Sequence, residues 1–238
     1  MLDFYGQQGG EVSEEREPPT RSPEVTPSRP LLTAGLDRGS HLGFVAHEFR
    51  NPLSTALWSA ELLTRLRPDE RAGERGGKLA NLGARALGRI QLLMEDHLLC
   101  ERLDAGGYPL RLGPVDVAAL LGAVQVRLGL EPGPELQLAP GLAGRGDRAL
   151  LERAVEGVVA VAGRGGAPVR IVGAASGGMV RLTVRGGPVE RLADPVKGSL
   201  SDPSGRALAL PMARRVAEVH GGALTVDGEG YLLDFPAT

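Results

Sequence analysis

Phe44-Val45-Ala46-His47-Glu48-Phe49-Arg50-Asn51-Pro52-Leu53 is the stretch on which the reading of this chain turns. It gathers an imidazole, a carboxylate, a guanidinium and an amide within about one and a half helical turns, a grouping suited to phosphoryl chemistry. From Leu42 to Leu66 the apolar residues Leu42, Val45, Phe49, Leu53, Ala56, Ala60 and Leu63 recur at steps of three and four, the mark of an amphipathic helix. At about 100° per residue the stripe centres near Phe49 and leaves His47 about 160° away, facing water. Arg50, Asn51 and Ser54 share the His47 side, and Glu48 falls on the flank. Pro52 lacks a backbone donor and crowds the preceding turn, so a kink is expected just after His47.

Those residues carry a resemblance. An apolar helical turn followed by His-Glu-x-Arg-Asn/Thr-Pro resembles the phosphoacceptor segment, or H-box, of bacterial histidine kinases, and Phe44 to Leu53 fits it at every position. His41, His97 and His220 have no such surroundings and read as solvated surface histidines.

Composition is compatible with that family. The 238 residues allow one or two domains, and a net charge of -2 points to neither nucleic acid nor a membrane surface as partner. The single cysteine, Cys100, excludes an internal disulfide framework and a cysteine-rich metal site. No apolar run reaches the length of a membrane span and the acidic N-terminus lacks a signal peptide's basic and apolar regions, so a cytoplasmic protein is expected. Members of the family usually carry an input domain ahead of the H-box, and from the short stretch that precedes it here none is expected.

Residues 1–38 are rich in Pro, Glu, Ser, Thr and Arg and poor in large apolar side chains, which predicts a disordered tail. A first helix over about 40–66 is followed by Arg67-Pro68-Asp69 and the glycines Gly73, Gly76 and Gly77, read as a connection. A second helix carries Leu79, Leu82, Ala86, Leu87, Ile90, Leu93, Met94, Leu98 and Leu103 and stops at Ala105-Gly106-Gly107. Two helices in a hairpin leave one long apolar face open, and pairing with a second copy buries it in a four-helix bundle. Residues 39–107 are therefore expected to form a homodimeric helical hairpin, the dimerisation and phosphotransfer domain that the resemblance implies.

From 113 to 238 short β-rich runs alternate with helices. Val115-Asp116-Val117 leads into a helix through Val126, Glu135–Leu138 alternates as a strand, and Asp147 caps a helix through Leu150, Leu151, Ala154, Val155 and Val158. Val169–Val172 and Met179–Val184 are neighbouring strands, Leu208–Val219 a helix, and Ala223–Val226 with Tyr231–Phe235 a terminal hairpin. The class is α+β, with helices on one face of a mixed sheet.

That order resembles the ATP-binding domain that follows the H-box, but the positions that hold nucleotide in the family are changed. The two asparagines of the family's metal-binding helix align with Gly157 and Val161, which offer no oxygen to a hard cation. The family's Asp-x-Gly-x-Gly reads Arg185-Gly186-Gly187-Pro188-Val189, and an arginine only donates hydrogen bonds, so it does not accept one from the adenine amine. The glycine-rich phosphate cradle reads Gly205-Arg206-Ala207-Leu208-Ala209-Leu210, with Ala207 and Ala209 where glycines are expected. The domain is thus read as a degenerate α/β sandwich of the ATPase type, with no cofactor and no metal of its own. Glu152, Glu156 and Asp194 are the oxygens that would fill in if the motif alignment were displaced.

The resemblance implies a function. His47 carries the phosphoryl group, Glu48 orients the imidazole or takes its proton, Arg50 stabilises phosphoryl charge or docks the partner, and Asn51 holds a phosphoryl oxygen or water. The chain looks like the kinase-like histidine phosphotransferases that relay a phosphoryl group between the aspartates of response-regulator receiver domains without ATP, with Mg²⁺ supplied by the regulator. Two other readings stand beside it: an ATP-dependent histidine kinase with a divergent pocket, and a non-catalytic regulator that sequesters a partner.

Overall fold

The structure is a computed structural model that describes residues 31–189 and 206–238, with side chains from residue 43 onward. The expected disordered tail and the positions Gly205 and Asp194 lie outside the described side chains or segments.

Helix α1 (Leu31–Arg65) begins nine residues ahead of the expected start at 40 and runs without interruption through Pro52. Below Pro52, hydroxyls support the helix: Thr55 Oγ1 donates to the Asn51 carbonyl at 3.1 Å and Ser59 Oγ to that of Thr55 at 2.7 Å. A short helix α2 (Pro68–Ala72) forms where a plain connection was expected, with proline in the first turn and Asp69 and Glu70 at its N-terminal end. Helix α3 (Glu74–Asp104) starts early enough to take in Gly76 and Gly77. Gly76 is there because α2 comes too close for a side chain: a Cβ would sit 2.0 Å from the Arg71 carbonyl oxygen. The hairpin of α1 and α3 is the one the sequence predicts.

Strand β1 (Gly113–Asp116) leads into α4 (Val117–Leu128), which Asp116 caps by accepting from the Ala119 N–H. Strands β2 (Glu135–Leu138) and β3 (Ala143–Gly146) precede α5 (Arg148–Ala162). The strands β4 (Arg170–Ser176) and β5 (Met179–Arg185) are joined at Gly177 and Gly178, whose positive φ values of 60° and 77° suit a two-residue hairpin turn. Helix α6 (Ala209–Val219), β6 (Ala223–Val226) and β7 (Gly230–Pro236) complete the chain.

The main sheet runs β2-β4-β5-β7-β6, with β2 parallel to β4 and the other neighbours antiparallel, while β1 pairs with β3 in a separate ribbon. Alternate residues of the strands, Ile171, Val180, Leu182, Val184, Tyr231, Leu233 and Phe235, are buried against the helices, as a sheet covered on one face requires. This is the α+β class expected. The same core takes in Cys100 and Leu103 from the last turns of α3, with Leu99 packed against it. The hairpin is thereby anchored in the α/β domain at one end.

Candidate functional site

His47 is exposed on α1, and Arg50, Asn51 and Ser54 are exposed with it, so the polar face read from the sequence is present. Among the described residues no hydrogen bond or ion pair engages its imidazole. Glu48 departs from its expected place on the flank: it is 6% exposed. The covered stripe of α1 is Val45, Glu48, Ala56 and Ser59, rotated about 60° from the one centred on Phe49. The α1–α3 contact explains the rotation, since Ser59 faces Gly83, where an added Cβ would lie 3.4 Å from the serine Cβ. Glu48 therefore projects about 100° around the helix from His47, into the covered face.

The rotation also leaves apolar side chains open. Leu53, Leu57 and Trp58 on α1 and Leu87, Met94 and Leu98 on α3 are exposed, Leu57 by 64%. Beside the H-box, Val45 and Leu93 are buried against Leu208 of the α/β domain, with Phe44, Phe49 and Ala207 around them. One side of the His47 turn is thus covered by the α/β domain, and the His47 side is not.

Gly157, Val161, Arg185 and Gly187 are among the positions where the resemblance led to an expectation of lost nucleotide contacts. Gly157 is buried in α5 with a Cβ position 3.2 Å from the Ala209 carbonyl oxygen and 3.3 Å from the Ala209 side chain, so α6 begins directly against it. Val161 is buried in the core. Arg185, at the end of β5, pairs with Glu229 at 3.2 Å, and the Gly187 N–H donates to the Ala162 carbonyl at 2.7 Å. Leu208 between the two alanines has φ −95°, a conformation open to any residue.

Arg206 turns inward and donates to Glu156 Oε1 at 3.4 Å. Glu156 is 3% exposed, and Arg153 and Arg127 approach its two oxygens at 3.6 Å. Arg153 in turn crosses to α3, where it donates to Asp96 Oδ1 at 2.9 Å and reaches Glu95 at 3.5 Å. Glu152 pairs with Arg127 and Arg148, both at 2.7 Å. Burial raises the Asp96 carboxyl above its ordinary range, and the Arg153 charge and hydrogen bond work against that rise. Among the described residues no group of three or more His, Cys, Asp and Glu is placed to hold a metal ion.

His220 is not a solvated histidine. It is 7% exposed, its Nδ1 lies 2.7 Å from the Val216 carbonyl, and its Nε2 accepts from the Asp147 N–H at 2.8 Å. The sequence reading also passed over Asp96 and Arg153. A signal for Asp96 was present: Leu93, Asp96, Cys100 and Leu103 follow steps of three and four, placing a carboxylate in the buried register.

Residues 37–106 match the family model described as the His Kinase A (phospho-acceptor) domain. The hairpin is a His Kinase A domain. No curated protein matches the chain. Among solved structures it is similar to the Acinetobacter baumannii histidine kinase AdeS, with TM-score 0.60 and 19% identity over 79% of this chain and 95% of that one. It is also similar to histidine kinase ThkA, solved in complex with the response regulator protein TrrA, with TM-score 0.61 and 17% identity over 87% of this chain and 64% of that one. Full-length ShkA, solved in complex with AMPPNP, matches with TM-score 0.51 and 25% identity over 88% of this chain, which spans 46% of ShkA. A hairpin that matches the His Kinase A model is thus followed by an α/β domain, and the two together share the fold of the histidine kinases AdeS and ThkA. No described helix is long and apolar enough to cross a membrane.

Proposed function

We propose that the chain is a dimeric phosphotransferase that carries a phosphoryl group on His47 between response-regulator aspartates and does not use ATP. The observation that carries this reading is the contrast between an exposed H-box face and a nucleotide region whose polar groups are turned to one another. Gly157 is closed over by Ala209, Arg206 is directed to Glu156 and Arg185 to Glu229. Residues so engaged do not fit Mg²⁺ or adenine: a hard cation needs oxygens, and position 161 offers methyl groups.

In the proposed reaction an imidazole nitrogen of His47 attacks the phosphorus of a receiver's aspartyl phosphate. A nitrogen–phosphorus bond forms, the phosphorus–oxygen bond breaks, and the aspartate carboxylate leaves with the electron pair. A second receiver's aspartate reverses the step. Mg²⁺ belongs to the receiver. Such transfers depend on positioning and charge stabilisation, and the proposed role of Arg50 and Asn51, exposed beside His47, is to contact the phosphoryl oxygens. Because Glu48 lies in the covered face, its part is to fix the helix against α3 and the α/β domain rather than to touch the imidazole from the solvent side. The homodimer buries Leu53, Leu57, Leu87, Met94 and Leu98 in a four-helix bundle, and the ThkA–TrrA complex supports a receiver domain as the class of partner.

One comparison favours a second reading. The likeness to ShkA, solved with AMPPNP, supports an ATP-dependent kinase with a divergent pocket. Parallel labelling decides between them. The full chain is incubated with a phosphorylated receiver domain or with labelled ATP and Mg²⁺, with His47→Gln as control. Label from the receiver alone, absent in His47→Gln, is expected; label from ATP that His47→Gln abolishes would establish the kinase instead.

A further inference from the structure

We infer that the ion cluster around Glu156, together with Leu208, is a built-in latch that holds the α/β domain on the flank of the H-box helix, with Asp96 and Arg153 as its positioning pair. This rests on the reading that the α/β domain holds no nucleotide.

The cluster balances its own charge. Carboxylates of Glu95, Asp96, Glu152 and Glu156 meet guanidiniums of Arg127, Arg148, Arg153 and Arg206. Glu156 is the buried centre, and its Oε2 has no hydrogen-bond partner among the described residues. A carboxylate so placed is tolerated because cations surround it, and removing one partner of a buried pair is strongly unfavourable. Two of those cations tie separate parts of the chain to α5. Arg206 brings in the segment leading to α6, and Arg153 brings in α3 through Asp96. The cluster therefore occupies the region where Gly157 and Ala207 align with the family's metal and phosphate contacts, and it joins there the pieces that a bound nucleotide would otherwise bridge.

Mechanically, the last turns of α3 are fixed in the core by Cys100 and Leu103. Asp96 lies one turn before that anchor, and Leu93, on Leu208 and Val45, one turn earlier again. Release of the Asp96–Arg153 pair lets the α/β domain pivot about the Cys100 end and withdraw Leu208 from Val45. Since Val45 and Phe49 flank His47 in sequence, the latch sets the backbone of the phosphoacceptor turn while leaving Arg50, Asn51 and Ser54 open to a partner.

Amide hydrogen exchange on the full chain tests this, because local opening is read segment by segment. Asp96→Asn is expected to speed exchange about tenfold at 45–49 and 208–212 while β4 and β5 keep their wild-type rates. Arg153→Lys, which keeps the charge, should stay within about threefold of wild type at the same amides. Unchanged rates at 45–49 in Asp96→Asn overturn the latch, and so does an equal acceleration in β4 and β5, which would mean general loosening. ATP with Mg²⁺ should leave wild-type exchange unaltered. A change on adding them would overturn the ATP-free reading, while the comparison of Asp96→Asn with wild type would still judge the latch.

Discussion

The backbone N–H of Asp147 donates to Nε2 of His220 at 2.8 Å, across 73 residues of chain. The Asp147 carboxylate meanwhile caps α5 by accepting from the N–H groups of Ala149 and Leu150, and accepts from the Arg111 N–H at 3.0 Å. One buried aspartate thus joins the start of α5, the segment before β1 and the end of α6. Replacing His220 with alanine strands a buried donor, which costs about 1–3 kcal/mol. A fall of several degrees in the thermal midpoint, followed by circular dichroism, is the expected outcome.

Cys100 offers a test of the shared core. Burial pushes its thiol up from 9.0 to about 12, against the pull of Arg215. The folded value lies above the unfolded one, so the stability linked to this group is complete below pH 9 and is lost as pH rises from there to about 12. At pH 8 the native thiol should react with an alkylating reagent at least about a hundredfold more slowly than in denaturant. Mass spectrometry over time measures it, and rapid native labelling would contradict the burial.

His47→Gln should separate chemistry from folding. The side chain is exposed, so the thermal midpoint is expected to correspond to a change within about 0.5 kcal/mol of wild type. Transfer from a phosphorylated receiver should vanish. A melting curve run beside the labelling assay checks both.

The open face of the hairpin predicts its assembly. Leu57 is 64% exposed and Leu98 49% in the single chain, and burial of each side chain in a bundle is worth about 1.5–3 kcal/mol. Leu57→Glu should raise the dimer dissociation constant by at least about tenfold, read by analytical ultracentrifugation. A wild-type chain that sediments as a monomer at tens of micromolar would count against the dimer.

Where a local rule governed, the sequence was legible. Asp147 before an apolar-periodic run is a helix cap whatever surrounds it, and Ser176-Gly177-Gly178 makes a hairpin turn for reasons contained in those residues. The exposed His47 face was legible too, because three- and four-residue spacing survives any moderate rotation of the helix. Features that depend on a distant partner were not. Glu48 is buried because α3 and Leu208 lie against α1 off the centre of its apolar stripe, and His220 is buried where its ring accepts from the Asp147 N–H, 73 residues away in the chain. Strand β3 reads Ala-Gly-Arg-Gly, with no strand propensity, and exists through its pairing with β1. Gly76 and Gly77 read as a break, yet the first is the clearance for α2.

Helix α3 is a single beam of 31 residues, one arm of the hairpin, with its last turns in the core of the neighbouring domain. The boundary between the two domains therefore does not coincide with a cut point in the chain. Severing the protein after the Ala105-Gly106-Gly107 stop would hand Leu99, Cys100 and Leu103 to the hairpin fragment as a bare greasy end and leave a matching hole in the other. Neither half is a detachable cassette, and domain exchange in this protein must carry the whole beam with it.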